Sequence, residues 1–496
     1  MPTGSFLTLV VFVVLFGGQV GLAAPKLPNV VFIMADDQAQ WARSGSGLHP
    51  NAVTPTMDRL ANEGARFTNF FADTPTCSPA RASIMTSRYG SELGITEWLK
   101  NGTKDPGHPD TRKGLDPYLP NIPLVMRAAG YSTALCGKWH LGENPAFHPY
   151  RLGFDYFAGF RSGGTSPVDP VLEVAEIDEP LTGLTCDIIT DLALQRLLEH
   201  QEMTPDKPFF LALHFRAPHT KWLPVDEEDW EPFEAMKNKG LVRVPEPDYP
   251  GLDVARTERM TLEYLASVRT VDRNLSRLLM ELRDLSIEDN TIVIYTSDHG
   301  YNMGHHGIWH KGNGISLVTP LPEGTVDVPA GRVPNLYDTS LKVPAIVRWP
   351  GKVEAGREIT QTATHLDWLP TLVEITGIRM PIGSVMRGRS LVPLLEGKKQ
   401  PRWKNDFFGQ YSSEHDSRTA MRCYRTERFK LIRDFRNEGR DAFYDLAADP
   451  DEKNNLLGQL DELHLKILAE LDEKLRDKME EIRDPALDLL KPAPVR

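Results

Sequence analysis

Four clusters of chemically capable residues each stand at the end of an apolar run. NVVFIMADDQ closes on Asp36 and Asp37, GYSTALCGKWH on Lys138 and His140, KPFFLALHFRAPH on His219, and NTIVIYTSDHG on Asp298 and His299. Three carboxylates and an imidazole are the oxygen-rich set that holds a hard divalent cation, with the imidazole or a water completing the shell. Arg81, Lys138 and Lys311 flank the same clusters. Cations repel a metal rather than hold it. They make sense together if an anion with several oxygens, a sulfate or a phosphate, lies between them and the metal. Taken singly, each cation reads as surface charge and the Asp pair as an ordinary acidic turn; their company gives them weight.

The elements that must position these residues are legible around them. Val30 to Met34, Phe209 to Phe215 and Ile292 to Thr296 are continuous apolar runs, as expected of strands buried on both faces. Helical patterns lie between them. TPTMDRLANEG offers Thr54 as an N-cap and Pro55 at the first helical position, and Leu184 to Leu198 and Leu262 to Leu285 carry apolar residues at helical spacing. This alternation predicts an α/β fold with a mostly parallel central sheet flanked by helices. Ligands of such sheets gather beyond the C-terminal ends of the strands, so the four clusters should meet in space. Residues 101–120, 222–253 and 312–334 read as loop-rich stretches able to shape substrate choice. From about Pro401 the texture changes to short strands (DFFGQYSS, TAMRCYRTERFKLIRDF, DAFYDL) and then a helix over roughly 460–480. The expected organisation is a catalytic domain over 27–400 and a smaller C-terminal α+β subdomain with antiparallel strands over 401–496.

Composition bounds the function. Hydrophobic and charged fractions of 41% and 25% are those of a folded, soluble protein. A formal charge of −12 argues against a general nucleic-acid binder while leaving room for a local positive pocket. Residues 1–23 read as a signal peptide: Phe6 to Phe16 is an apolar run of the right length, followed by the small residues of Gly21-Leu22-Ala23. The segment lacks Lys and Arg before that run, and an uncleaved anchor is the alternative. Either way the protein is expected to be exported, to the periplasm or beyond, with no membrane contact once the signal is removed. Cys77, Cys136, Cys186 and Cys423 follow no disulfide framework and no CxxC spacing, although one disulfide is open to them.

Cys77 stands in TPTCSPARASIMTSR, and the C-S-P-A-R core with M-T-S-R after it resembles the signature of the formylglycine-dependent sulfatases of the alkaline-phosphatase-like superfamily. Their second signature, Gly-Tyr-x-Thr-x-x-x-Gly-Lys-x-His, is matched by Gly130 to His140. The resemblance extends from Asn29 to FYDLAADPDEKNNL, and the Asp-His pair at Asp298-His299 is similar to the iduronate- and choline-sulfatase branches. Ser87 stands where the family usually has glycine, and Cys136 where a small or β-branched residue is usual.

The resemblance implies that a formylglycine-generating enzyme oxidises Cys77 to an aldehyde. Hydrated, the aldehyde offers one hydroxyl to attack sulfur and a second whose deprotonation expels sulfate. A serine or unmodified cysteine has no second hydroxyl. By the same resemblance Asp36, Asp37, Asp298 and His299, with residue 77, form the shell of one Ca2+. Arg81 holds residue 77, Lys138 and Lys311 clamp sulfate oxygens, His140 accepts a proton from the diol, and His219 is the candidate acid for the leaving alcohol. His214 reads as a packed core histidine, while one of His305 and His306 could assist the metal. Sulfate ester hydrolysis on a sulfated small molecule or glycan is the leading expectation, with Trp98, His108 and Arg161 as candidate sugar contacts. A phosphonate monoester or phosphodiester hydrolase using the same site is the enzymatic alternative. A non-catalytic glycan-binding protein would lack a nucleophile, clamp or acid, and all three are present.

Overall fold

The computed structural model describes residues 27–100, 113–318 and 327–490. The expected signal peptide and His108 lie outside the described residues.

Ten strands form one sheet. At its centre run five parallel strands, in spatial order Thr291–Ser297, Asn29–Ala35, Phe209–His214, Ser132–Lys138 and Tyr156–Phe160. Every residue of the first three is buried, which is why they read as unbroken apolar runs. Successive side chains point to opposite faces. Val31, Ile33 and Ala35 enter a core shared with helices Pro55–Glu63, Thr185–Met203 and Val254–Asp284. Val30, Phe32 and Met34 enter a second core shared with Cys77–Thr86, Ile122–Ala128 and Trp368–Thr376. The sheet is thus sealed on both faces. Its flanks are mixed: Ala345–Arg348 joins one side antiparallel, and the hairpin Val171–Val174/Ile177–Pro180 closes the other.

Three local expectations change. The stretch 222–253 is not all loop, for it contains the helix Glu227–Asn238, capped by the Asp226 side chain on Glu228 N. Its acidic first turn and Pro232 mask the pattern; within it only Asp229 and Phe233 are buried. The helix read as Leu262 to Leu285 starts earlier, at Val254, because its first turns are polar on the solvent side. Thr54 does sit at the N-cap with Pro55 following, but its hydroxyl accepts from Ser44 N instead. The cap comes from a neighbour: Asp272 of the long helix accepts from Thr56 N and Met57 N at 3.0 and 2.7 Å.

A four-stranded antiparallel sheet follows, Phe407–Ser413, Thr419–Arg425, Phe429–Asp434 and Ala442–Asp445, backed by the helix Glu462–Glu481. Just beyond that helix, Asp484 receives both a 2.5 Å and a 2.6 Å bond from the buried Arg422 of this sheet. All four cysteines are free, buried thiols, so the disulfide left open by the sequence does not form. Among the described residues no helix is long and apolar enough to cross a membrane.

Candidate active site

Adjacent residues of a strand face opposite sides, so Asp36 and Asp37 could not share one centre if the chain stayed extended. It does not: Asp37 has φ of 76°, a left-handed turn that brings both carboxylates inward. Asp36 N bonds Ala217 O, Asp37 N bonds Asp298 Oδ1, and the Tyr264 hydroxyl donates to Asp37 O. The turn is therefore pinned by three separate elements.

Cys77 opens the helix Cys77–Thr86, its Sγ 3.3 Å from His299 Nε2, 3.6 Å from Asp36 Oδ1 and 2.9 Å from Lys311 Nζ. Ligand atoms of Asp36, Cys77, Asp298 and His299 lie within 4.8 Å of one another, as do those of Asp37, Cys77 and His219. The cations interleave. Arg81 Nε reaches Asp298 Oδ2 at 2.9 Å, Lys138 Nζ reaches Asp36 Oδ2 at 2.6 Å, and Lys311 Nζ reaches Asp37 Oδ1 at 2.7 Å. Burial alone would raise these three carboxyls. Lys138 overcomes it at Asp36, Lys311 at Asp37, and His299 with Arg81 at Asp298, so all are held below the usual carboxylate range.

The donor set fits a hard cation. Asp37 Oδ2 is buried without a hydrogen-bond partner, an oxygen whose lone pairs are free to take a cation. Burial pulls His299 down, yet Asp298 and Asp37 outweigh it and hold the imidazole up at about 9. Its Nδ1 donates to Gly300 O, so a cation would compete with the second proton for Nε2. Asp36, Asp37 and Asp298 balance Arg81, Lys138 and Lys311 in formal charge; a divalent ion that displaced the second proton of His299 would raise the net positive charge of the centre from one to two, as suits an anionic substrate.

Above the cluster lies a cavity of about 680 Å³ whose walls include Cys77, His140, His219 and Lys311. Lys138 and Arg81 are not among its lining residues; they sit beneath, on the carboxylates. His140 Nε2 bonds Leu99 O at 2.9 Å and so carries the hydrogen, leaving buried Nδ1 as an unpartnered acceptor. Burial and then Lys138 hold this imidazole well below its ordinary value, which keeps it neutral with the Nδ1 lone pair free. His219 donates from Nδ1 to Thr220 O at 2.7 Å. Burial lowers it to about 4 against the pull of Asp37 and Asp36. A bound anion beside its Nε2 favours the charged form that an acid needs.

Other expected contacts separate. Trp98 lines the cavity. Arg161 does not; it bonds Glu143 O and pairs with Glu173. His214 is buried with Nδ1 on Lys138 O, the core histidine expected. His305 and His306 pack on Trp41 and Tyr337 respectively and line no part of the reaction cavity. Sequence reasoning missed Arg216, His310, Asn313, Arg332 and Asp416 in the cavity wall. His310 and Asn313 had a signal, their nearness to Lys311; Asp416 had none, since it arrives from the C-terminal sheet.

A sealed parallel sheet with carboxylates, cations and imidazoles converging beneath an open cavity defines an α/β enzyme for anionic esters. The chain belongs to the sulfatase family and is a sulfuric ester hydrolase. The family model described as Sulfatase matches residues 28–378, and one described as N-sulphoglucosamine sulphohydrolase, C-terminal, matches 334–482. The chain is 28% identical to N-acetylglucosamine-6-O-sulfatase of Bacteroides thetaiotaomicron, across 92% of this chain and 87% of that protein. It is 28% identical to human N-acetylgalactosamine-6-sulfatase across 78% of this chain and 69% of that one. A solved protein in complex with its substrate D-glucosamine-2-N,6-O-disulfate superposes with a TM-score of 0.74 at 25% identity, covering 93% of this chain and 99% of that one.

Proposed function

We propose that this exported sulfatase removes sulfate from sulfated carbohydrates, amino sugars foremost, using a formylglycine made from Cys77 and one Ca2+. The observation that carries the reading is the single cavity in which Cys77 and Lys311 meet His140 and His219 beside a cluster of buried carboxylates. The names of the hexosamine sulfatases it resembles supply the substrate class.

Asp36, Asp37, Asp298 and His299 would hold the cation, and their oxygen-rich set suits calcium. Together the hydrated aldehyde and the cation supply an oxygen nucleophile acidified at neutral pH, with a second hydroxyl for the release step. The rest falls to residues of the chain. Lys311 Nζ, between Asp37 and residue 77, draws the sulfate oxygens inward. Arg81, tied to Asp298 and to Lys138 O, fixes the helix that presents residue 77. His140 Nδ1 takes a proton from residue 77, and His219 Nε2 returns one to the departing alcohol. Cys77 is buried in the folded chain, so modification by a formylglycine-generating enzyme would need the CSPAR segment accessible before folding is complete.

The test is expression alongside that maturation enzyme, mass spectrometry of the Cys77 peptide, and assay on glucosamine 6-sulfate, 4-nitrophenyl sulfate and an aryl phosphonate. Aldehyde at position 77, sulfate release exceeding phosphonate turnover, and complete loss on Cys77→Ala are expected. Turnover that survives Cys77→Ala, or a preference for the phosphonate, overturns the reading.

A further inference from the structure

The C-terminal sheet touches the reaction cavity through one loop. That loop joins strands Phe407–Ser413 and Thr419–Arg425, and its Asp416 lines the cavity beside Asn313 and Arg332. Asp416 Oδ2 accepts from Asn313 Nδ2 at 2.8 Å, and Arg332 approaches Oδ1 at 3.4 Å. Asn313 is itself held through its side-chain oxygen by His310 Nδ1. The loop is fixed from the other side as well. Glu97 Oε2 accepts from Glu414 N at 2.9 Å and His415 N at 3.0 Å. Trp98 sets its ring against His415 with centroids 5.1 Å apart, and also lines the cavity.

Sulfur–oxygen cleavage needs none of these groups. A carboxylate in a cavity that takes an anion is electrostatically adverse; Arg332 at 3.4 Å offsets part of its charge, and donors that arrive with the substrate can offset the rest. Adjacent hydroxyl groups are such donors: one gives its hydrogen to a carboxylate while its neighbour accepts from a guanidinium. A few fixed polar groups beside an aromatic wall are what orients a small ligand in a cavity of this size.

We propose that Asp416 and Arg332, positioned by Asn313 and Glu97, form a hydroxyl clamp that selects the alcohol half of the substrate, a hexopyranose sulfate with vicinal free hydroxyls. The clamp rests on the carbohydrate-sulfatase reading and adds a role for the C-terminal unit, which carries the specificity carboxylate into a site otherwise built by the large sheet.

The experiment uses mature holoenzyme of the parent, Asp416→Asn, Asp416→Ala and Arg332→Ala. Each is assayed for kcat/KM on glucosamine 6-sulfate, on its deoxy analogues at the free ring hydroxyls, and on 4-nitrophenyl sulfate, which has no sugar hydroxyl. The clamp predicts that the ratio of sugar to aryl kcat/KM falls about 10–100-fold in each variant, the loss expected for a charged hydrogen bond. It also predicts that one deoxy analogue is a poorer substrate for the parent but no worse than the full sugar for Asp416→Ala. Melting curves, with the near-isosteric Asp416→Asn, separate this from misfolding. A ratio that stays at the parent value, with the parent active on the sugar, overturns the clamp alone. A parent that cleaves aryl sulfate and no sugar sulfate overturns the carbohydrate reading, and the clamp with it.

Discussion

Lys311 is the cation that both contacts the Cys77 sulfur and lines the cavity; Arg81 and Lys138 lie below, against carboxylates. The three are thus unequal in what their loss should do. Removing a preorganised donor aimed at charge that develops in the transition state typically costs about 10²–10³ in kcat. Lys311→Ala is expected to lose that much on 4-nitrophenyl sulfate while the formylglycine content at position 77, read by mass spectrometry, stays at the parent level. An unchanged kcat would remove Lys311 from the machinery. Ser87 illustrates how one residue departs from a pattern without breaking the site. It occupies a left-handed position, φ 57°, where glycine is free of strain, yet its hydroxyl accepts from Gly388 N and its carbonyl from Arg387 N. Those two bonds tie the end of the helix Cys77–Thr86 to a distant loop, a compensation visible only in three dimensions.

The strand Ser132–Lys138 delivers Lys138 to the carboxylates only because it lies very close to its neighbours. Gly137 has φ of 113°, and a Cβ there would fall 1.9 Å from His214 O; a Cβ on Gly159, its partner in register, would fall 1.9 Å from Gly137 O. Gly137→Ala should therefore add backbone strain to a steric clash, about 2–6 kcal/mol together. Urea unfolding followed by circular dichroism checks this, and a midpoint equal to the parent's would refute it. The same strands show what was readable beforehand. Residues buried on both faces leave unbroken apolar runs, so four of the five central strands and the polar groups at their ends were plain, and those four ends do converge on one cluster. The short strand Tyr156–Phe160 was not read from the sequence. Where an element's support comes from elsewhere, periodicity failed. The cap at Thr56 and Met57 comes from Asp272, and in the turns before Leu262 the buried side of the helix is carried by Thr257, Met260 and Thr261, two of them polar, so no apolar period shows there. The cavity wall failed for the same reason: Asp416 is far from every motif and reaches the site through a hairpin whose placement no local pattern encodes.

At the scale of the molecule, the two sheets do not keep separate interiors. Phe71, Leu336 and Leu341, which precede the change of texture near residue 401, share one buried cluster with Phe407, Tyr411, Met421 and Cys423. Tyr89 and Leu366 share another with Phe408, Leu475 and Met479. Between them runs a buried ionic network in which Lys430 Nζ meets Asp338 Oδ1 at 2.8 Å and Glu452 Oε1 at 2.6 Å. Opening the C-terminal sheet alone would expose apolar surface of the large sheet's unit and break the buried contacts of Asp338 with Lys430 and Arg425. Both units should therefore unfold in one transition. The chain provides its own probes: all nine tryptophans lie at or before Trp403, whereas Cys423 is a buried thiol of the C-terminal sheet, pushed up to about 12 by its burial. Tryptophan fluorescence across a urea series, paired with a brief alkylation pulse and peptide mapping of Cys423, should give coincident midpoints. Alkylation of Cys423 at urea concentrations where the fluorescence is still native would mean that the smaller sheet opens by itself, and that the shared clusters do not couple the carboxylate it supplies to the stability of the cavity.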